Sequence, residues 1–187
     1  MSRWRIAAWV VTAATVVVYA VMLTTTLPHL AQLTGGLAVF DLRPGGYDRP
    51  VAAAIVTALG PAGIDYYENV QHRWDMAFPI LLGLTVGYWL VAASARWRRH
   101  GLPLPAWLPP LLVALIVAAV ACDLGENAAV SGMLATPADA LTDAQVGLAS
   151  GLTLTKSVLS SLAYTALLVL ALGPFVAKLF RRRGQGA

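Results

Sequence analysis

Asp123, Glu126 and Asn127 close an otherwise apolar run, Trp107 to Ala121, in the stretch Ala121-Cys122-Asp123-Leu124-Gly125-Glu126-Asn127. On a helix, positions i, i+3 and i+4 share one face, so two carboxyls and an amide form a single polar patch. The chemistry such a patch serves is proton transfer: a crowded, partly desolvated carboxyl holds a proton and gives it up, and an amide orients it. Lys156 is the only charged residue between Leu152 and Leu159 and stands at the same level of the chain's apolar architecture. A cation there offsets the cost of burying either carboxylate. Asp75 opens another apolar run, with His72 one turn earlier on the same face. The catalytic candidates are therefore Asp123, Glu126, Asn127, Lys156 and Asp75, with His72, Tyr67, Tyr47 and Trp74 as candidate contacts to a substrate. His29 adds a further polar group just past the first apolar run.

These residues need elements to hold them, and composition says which. With 58% hydrophobic and 12% charged residues, the chain is far more apolar than a soluble domain, which carries roughly 25% charged residues. A bilayer span takes ~20 apolar residues, and four such runs are present, at about 6–27, 76–95, 109–130 and 157–177. The expected fold is all-α: a four-transmembrane-helix bundle forming one integral membrane domain over 1–187, with a long loop at 28–75 that is partly helical and caps the bundle. Within that loop, 51–59 reads as a short helix, Gly60-Pro61 breaks it, and 64–74 resumes as an amphipathic helix running into the second span.

Counted from Pro109 at ~1.5 Å per residue, Asp123 lies about 21 Å into a ~30 Å hydrocarbon core. A carboxylate at bilayer depth costs about 2.5–3.5 kcal/mol, so it faces the bundle interior or water. Two plainer readings stand beside the functional one: the third span ends at Cys122 and the patch is a wet helix terminus, and Lys156 snorkels to the headgroups.

Charge sets the expected topology. Nine of the thirteen basic residues are Arg3, Arg5, Arg96, Arg98, Arg99, Lys178 and Arg181 to Arg183, at the two ends and the second connection. All nine acids fall in the other connections or near them. The positive-inside rule then places both termini in the cytoplasm and the 28–75 loop outside, in a multi-pass protein of the cell (inner or plasma) membrane.

Several function classes drop out. The single cysteine, Cys122, excludes an intrachain disulfide or a redox thiol pair. No Lys/Arg-rich stripe marks a nucleic-acid surface. The carboxylates lack the Glu-x-x-His spacing of bundle di-metal sites, so no metal and no cofactor is expected. The expected partners are the lipid bilayer, an apolar small-molecule substrate and a second copy of the chain in a homo-oligomer. The D-x-x-E-N pattern also occurs at Asp65 to Asn69, where it reads as a solvated face of the cap helix with Tyr66 or Tyr67 turned inward.

The order F-D-L-R-P-G-G-Y (Phe40 to Tyr47), L-G-P-A-G (Leu59 to Gly63), D-M-A-F-P (Asp75 to Pro79) and D-L-G-E-N (Asp123 to Asn127), followed by Lys156, resembles small four-helix bacterial integral membrane proteins of no assigned function. That resemblance implies a fold and a topology. By chemical analogy, acids inside a compact membrane bundle look like those of the membrane sterol isomerases and terpene cyclases. The expected function is an integral membrane enzyme doing acid–base chemistry (isomerisation, cyclisation or hydrolysis) on a lipid-like or isoprenoid substrate. The alternatives are a transport or proton-relay component and a non-catalytic assembly or sensor protein.

Overall fold

A computed structural model describes residues 2–184, with side chains through Lys178; the side chains of Arg181 to Arg183, which entered the charge count above, lie outside the described residues. The chain is all-helical, and among the described residues four helices are long and apolar enough to cross a membrane: Arg3–Leu33, Arg49–Arg99, Leu108–Leu134 and Asp143–Lys178. Each runs past the apolar limits read from sequence, because hydropathy marks where lipid is tolerated and not where hydrogen bonding stops.

The first rod comprises α1 (Arg3–Val21), a π-helical turn at Met22–Thr26, and α2 (Leu27–Leu33). Pro28 sits at the start of α2. Its ring and missing N–H would break a regular α-helix, and the wider π turn before it supplies the local slack. In the second rod, α3 (Arg49–Tyr66) passes through a π-helical turn at Tyr67–Gln71 into α4 (His72–Arg99). Asp48 caps α3, its Oδ1 accepting from the Val51 N–H at 3.0 Å. Inside α3, Gly60 takes φ 57°, a conformation that favours glycine, and Pro61 follows it. The kink expected at Gly60-Pro61 is therefore present, as is the run of the loop helix into the second span.

Downstream, α5 (Leu108–Leu134) starts on Pro109 and Pro110, and α6 (Asp143–Gly184) begins well before the residue 157 expected from hydropathy. A capping box sets that start. The Thr142 N–H donates to Gln145 Oε1 at 3.0 Å while the Gln145 N–H donates to Thr142 Oγ1 at 3.2 Å, so two N–H groups without helical partners are satisfied reciprocally.

α5 packs along α6, and α4 packs on α1, α5 and α6. Close approach rests on small residues: a Cβ added at Gly83 would come within 2.5 Å of Val120, and one at Gly173 within 2.0 Å of the Trp97 ring. Two apolar cores result. One joins Leu30, Phe40, Ile55, Tyr67, Met133 and Ala149; the other joins Val86, Leu90, Leu112, Ile116, Ala163 and Leu170. Large apolar side chains such as Trp9, Val16, Leu84, Val117 and Leu168 point outward, the pattern of helices solvated by hydrocarbon.

Candidate functional site

Between the two cores lies a polar layer. Along α5 the order is Ile116 and Ala119 in one core, then Asp123, Glu126 and Asn127, then Val130 and Met133 in the other. Along α6, Ala149 belongs to one core and Ala163 to the other, with Thr153 and Lys156 between them. α5 continues more than two turns past Glu126, so D-x-x-E-N lies inside a helix and the wet-terminus reading fails.

Lys156 bridges the two carboxylates. Its Nζ donates to Asp123 Oδ1 at 2.9 Å and stands 2.6 Å from Glu126 Oε2, a contact that is ionic without hydrogen-bond alignment. The Glu126 side chain is 1% exposed, against 18% for Asp123 and 22% for Lys156. Lys156 therefore points into the bundle and does not snorkel. Two carboxylates about one ammonium carry one surplus negative charge when both are ionised, and a single proton brings the triad to neutrality.

Asn127 does something else. Its Nδ2 donates to the backbone carbonyl of Asp75 at 2.9 Å. That carbonyl would ordinarily accept from the N–H four residues later, which is Pro79 and has none. A carbonyl left unpaired in an apolar bundle costs as much as a lost hydrogen bond, so Asn127 repairs α4 across the interface. The D-M-A-F-P and D-L-G-E-N motifs are thus halves of one contact. Asp75 itself is 7% exposed, and among the described residues it has no cation within ion-pair distance.

A second polar node forms where the π turn faces the 34–48 loop. Tyr67 Oη donates to Asp41 Oδ1, Gln71 Nε2 donates to Asp41 Oδ2 at 2.9 Å, and Thr26 Oγ1 donates to Gln71 Oε1. Burial raises the Asp41 pKa above its ordinary value of 3.8, against the lowering effects of the Tyr67 hydrogen bond and the Lys156 charge. Tyr47, on the same loop, is held by its N–H donating to Ser150 Oγ at 2.9 Å. Its hydroxyl is buried without an aligned partner. Burial and the nearby Glu126 charge push that phenol above its ordinary value. Gly46, at φ 79°, lets the loop approach: a Cβ there would lie 2.6 Å from Ser150 Oγ.

Of the remaining candidates, Trp74 is half-buried against the core formed by Leu30 and Met133. His72 is half-buried and makes no side-chain hydrogen bond among the described residues, and His29 is exposed and packs at a tilt of 55° against Tyr66, with ring centroids 4.4 Å apart. The structure does not bring either histidine to the triad. The other D-x-x-E-N copy separates: Asn69 donates to Asp65 at 2.8 Å on an exposed face, while Glu68 accepts from Ser131 Oγ at 2.8 Å. Sequence reading missed Asp41, Gln71 and Thr26. Asp41 sat in a quoted motif, but nothing in sequence shows that a π turn aims Tyr67 and Gln71 at it.

One small space adjoins the triad, and a larger groove adjoins that space. A slot of about 10 Å³ is lined by Asp123, Ser160 and Tyr164 with Gly83, Ile116 and Val120. An apolar groove of about 500 Å³ runs along the α4–α5 seam and shares Gly83, Ile116 and Val120 with the slot. Among the described residues no three His, Cys, Asp or Glu side chains are grouped to hold a metal ion.

Fold and site together define an all-helical protein with four helices able to cross a membrane and an acid–lysine triad buried between two apolar cores. Comparison of the chain with protein-family models, with curated proteins and with solved structures finds no match.

Proposed function

We propose that the protein is a multi-pass enzyme of the cell membrane, both termini cytoplasmic, which isomerises or cyclises a lipid-like substrate by proton transfer. The observation that carries this reading is the shared wall: the apolar groove on the α4–α5 seam and the slot at Asp123 have Gly83, Ile116 and Val120 in common. A hydrocarbon chain lying in the groove has its reacting carbon next to the carboxyl end of the slot. Asp123 is the acid that reaches that space. Behind it Lys156 and Glu126 neutralise each other, so proton transfer at Asp123 changes the triad between neutral and one surplus negative charge. Asp75 is a further carboxyl within electrostatic reach of Asp123 and Glu126, and Asn127 acts as a positioning residue through the α4 backbone.

One observation favours the proton-relay reading instead: the slot holds no more than about one water, while the Thr26–Gln71–Asp41–Tyr67 chain carries polar contact toward the loop. Gly87→Leu separates the two. A Cβ at Gly87 meets only Ile116, at 3.9 Å, so the residue tolerates a side chain that fills the groove. Loss of lipid turnover in this variant with its fold intact supports the enzyme. Proton flux through reconstituted vesicles that survives the change, with no lipid turnover in either protein, supports the relay, and lipid turnover that persists in the variant removes the groove as the substrate site.

A further inference from the structure

At the end of the bundle opposite the triad, a cleft of about 620 Å³ opens between α1, α4 and α6, lined by Arg5, Arg96 and Arg99 with Tyr88, Trp89 and Ala171 among the walls. We propose that this cleft binds the phosphate headgroup of an anionic phospholipid, with the first part of an acyl chain against its apolar wall.

Arg96 and Arg99 are three apart on α4 and share a face, and Arg5 reaches the same space from α1. Among the described residues none of the three meets a carboxylate: the ion pairs are Arg49–Asp143, Lys156–Asp123 and Lys156–Glu126. A concentration of guanidinium groups without counter-charge is complementary to a phosphate, which arginine binds through paired N–H donors. Basic recesses between membrane helices are suited to lipid headgroups in the same way.

The wall is built and not merely left over. Trp89 Nε1 donates to Thr12 Oγ1 at 3.0 Å, and its ring packs edge-on against Trp9 with centroids 4.9 Å apart, so the indole is fixed in place. Ala92, Ala93, Ala95 and Ala171 leave the space that a chain would fill. Arg98 is directed elsewhere, donating to the Pro105 carbonyl at 3.4 Å, and the Arg3 guanidinium lies 5.5 Å from the Trp4 ring. These two arginines carry the same charge at the same end without lining the cleft.

That difference gives the test. Purified full-length protein in neutral detergent is titrated with dioleoyl phosphatidylglycerol or dioleoyl phosphatidylcholine, and bound lipid is counted by native mass spectrometry. The expected result is preferential retention of phosphatidylglycerol, weakened at least about tenfold by Arg96→Gln with Arg99→Gln and little changed by Arg3→Gln with Arg98→Gln. Ala171→Trp, which fills the cleft and leaves every charge in place, should weaken binding as well. Arg5→Gln, at an exposed position, repeats the test should the double variant fail to fold. Equal loss in the Arg3/Arg98 control, or no loss in Ala171→Trp, reduces the effect to general surface charge and overturns the proposal. Displacement of the lipid by inorganic phosphate at the same concentration overturns the assignment to a phospholipid.

Discussion

The side chain of Asn127 completes the backbone of another helix: its Nδ2 donates at 2.9 Å to the Asp75 carbonyl, which Pro79 cannot serve. Asn127→Ala leaves that carbonyl buried and unpaired and should cost about 1–3 kcal/mol. Pro79→Ala returns an N–H to the carbonyl, so the same change at Asn127 should cost clearly less in that background. Thermal unfolding of the four proteins in detergent measures the difference. Additive losses would mean that Asn127 serves some other group.

Lys156→Met strips the compensating charge from Asp123 and from the buried Glu126. Breaking a buried pair from one side costs about 3–5 kcal/mol. Adding Glu126→Gln should recover part of that loss, because the more deeply buried carboxylate is then neutral. Stability that stays as low in the double variant as in Lys156→Met would show that Glu126 does not depend on the lysine.

The position of the triad was legible in sequence and its surroundings were not. Helical spacing put Asp123, Glu126 and Asn127 on one face, and a lone Lys156 at matching depth identified the partner. Asn127 was expected to orient the acids, and the contact to the Asp75 carbonyl was not foreseen, although that orphan carbonyl is implied by Asp75 standing four residues before Pro79. The early start of α6 was also implied, by Thr142 and Gln145 at capping-box spacing, but hydropathy draws the eye to the apolar stretch. The Tyr67–Gln71 turn is different. The turn packs against the other π turn, at Met22–Thr26, and no local residue pattern specifies its geometry.

Asp41 supplies a pH dependence. Burial raises its folded value above the ordinary 3.8, so the folded protein binds this proton more tightly than the unfolded chain does. Its contribution to stability is fully present below 3.8 and is lost as pH rises through the raised folded value. Asp41→Asn cannot titrate and should flatten that part of the profile, whatever its effect on absolute stability. Melting temperatures from pH ~4 to ~8 test this; identical slopes in both proteins would contradict it.

The central claim is proton transfer between Asp123 and a hydrocarbon substrate, and hydrogen isotope incorporation measures it without knowing the substrate in advance. Purified protein is incubated in deuterated buffer with lipids extracted from the membranes of its host cells, and the lipids are examined by mass spectrometry for deuterium bound to carbon. The account expects incorporation into one lipid-like species, abolished in Asp123→Asn while that variant unfolds at or above the wild-type temperature, since Lys156 remains paired with the buried Glu126 and the like-charge repulsion between the two carboxylates is gone. Incorporation no greater than in a protein-free control, or equal incorporation by wild type and Asp123→Asn, would contradict it.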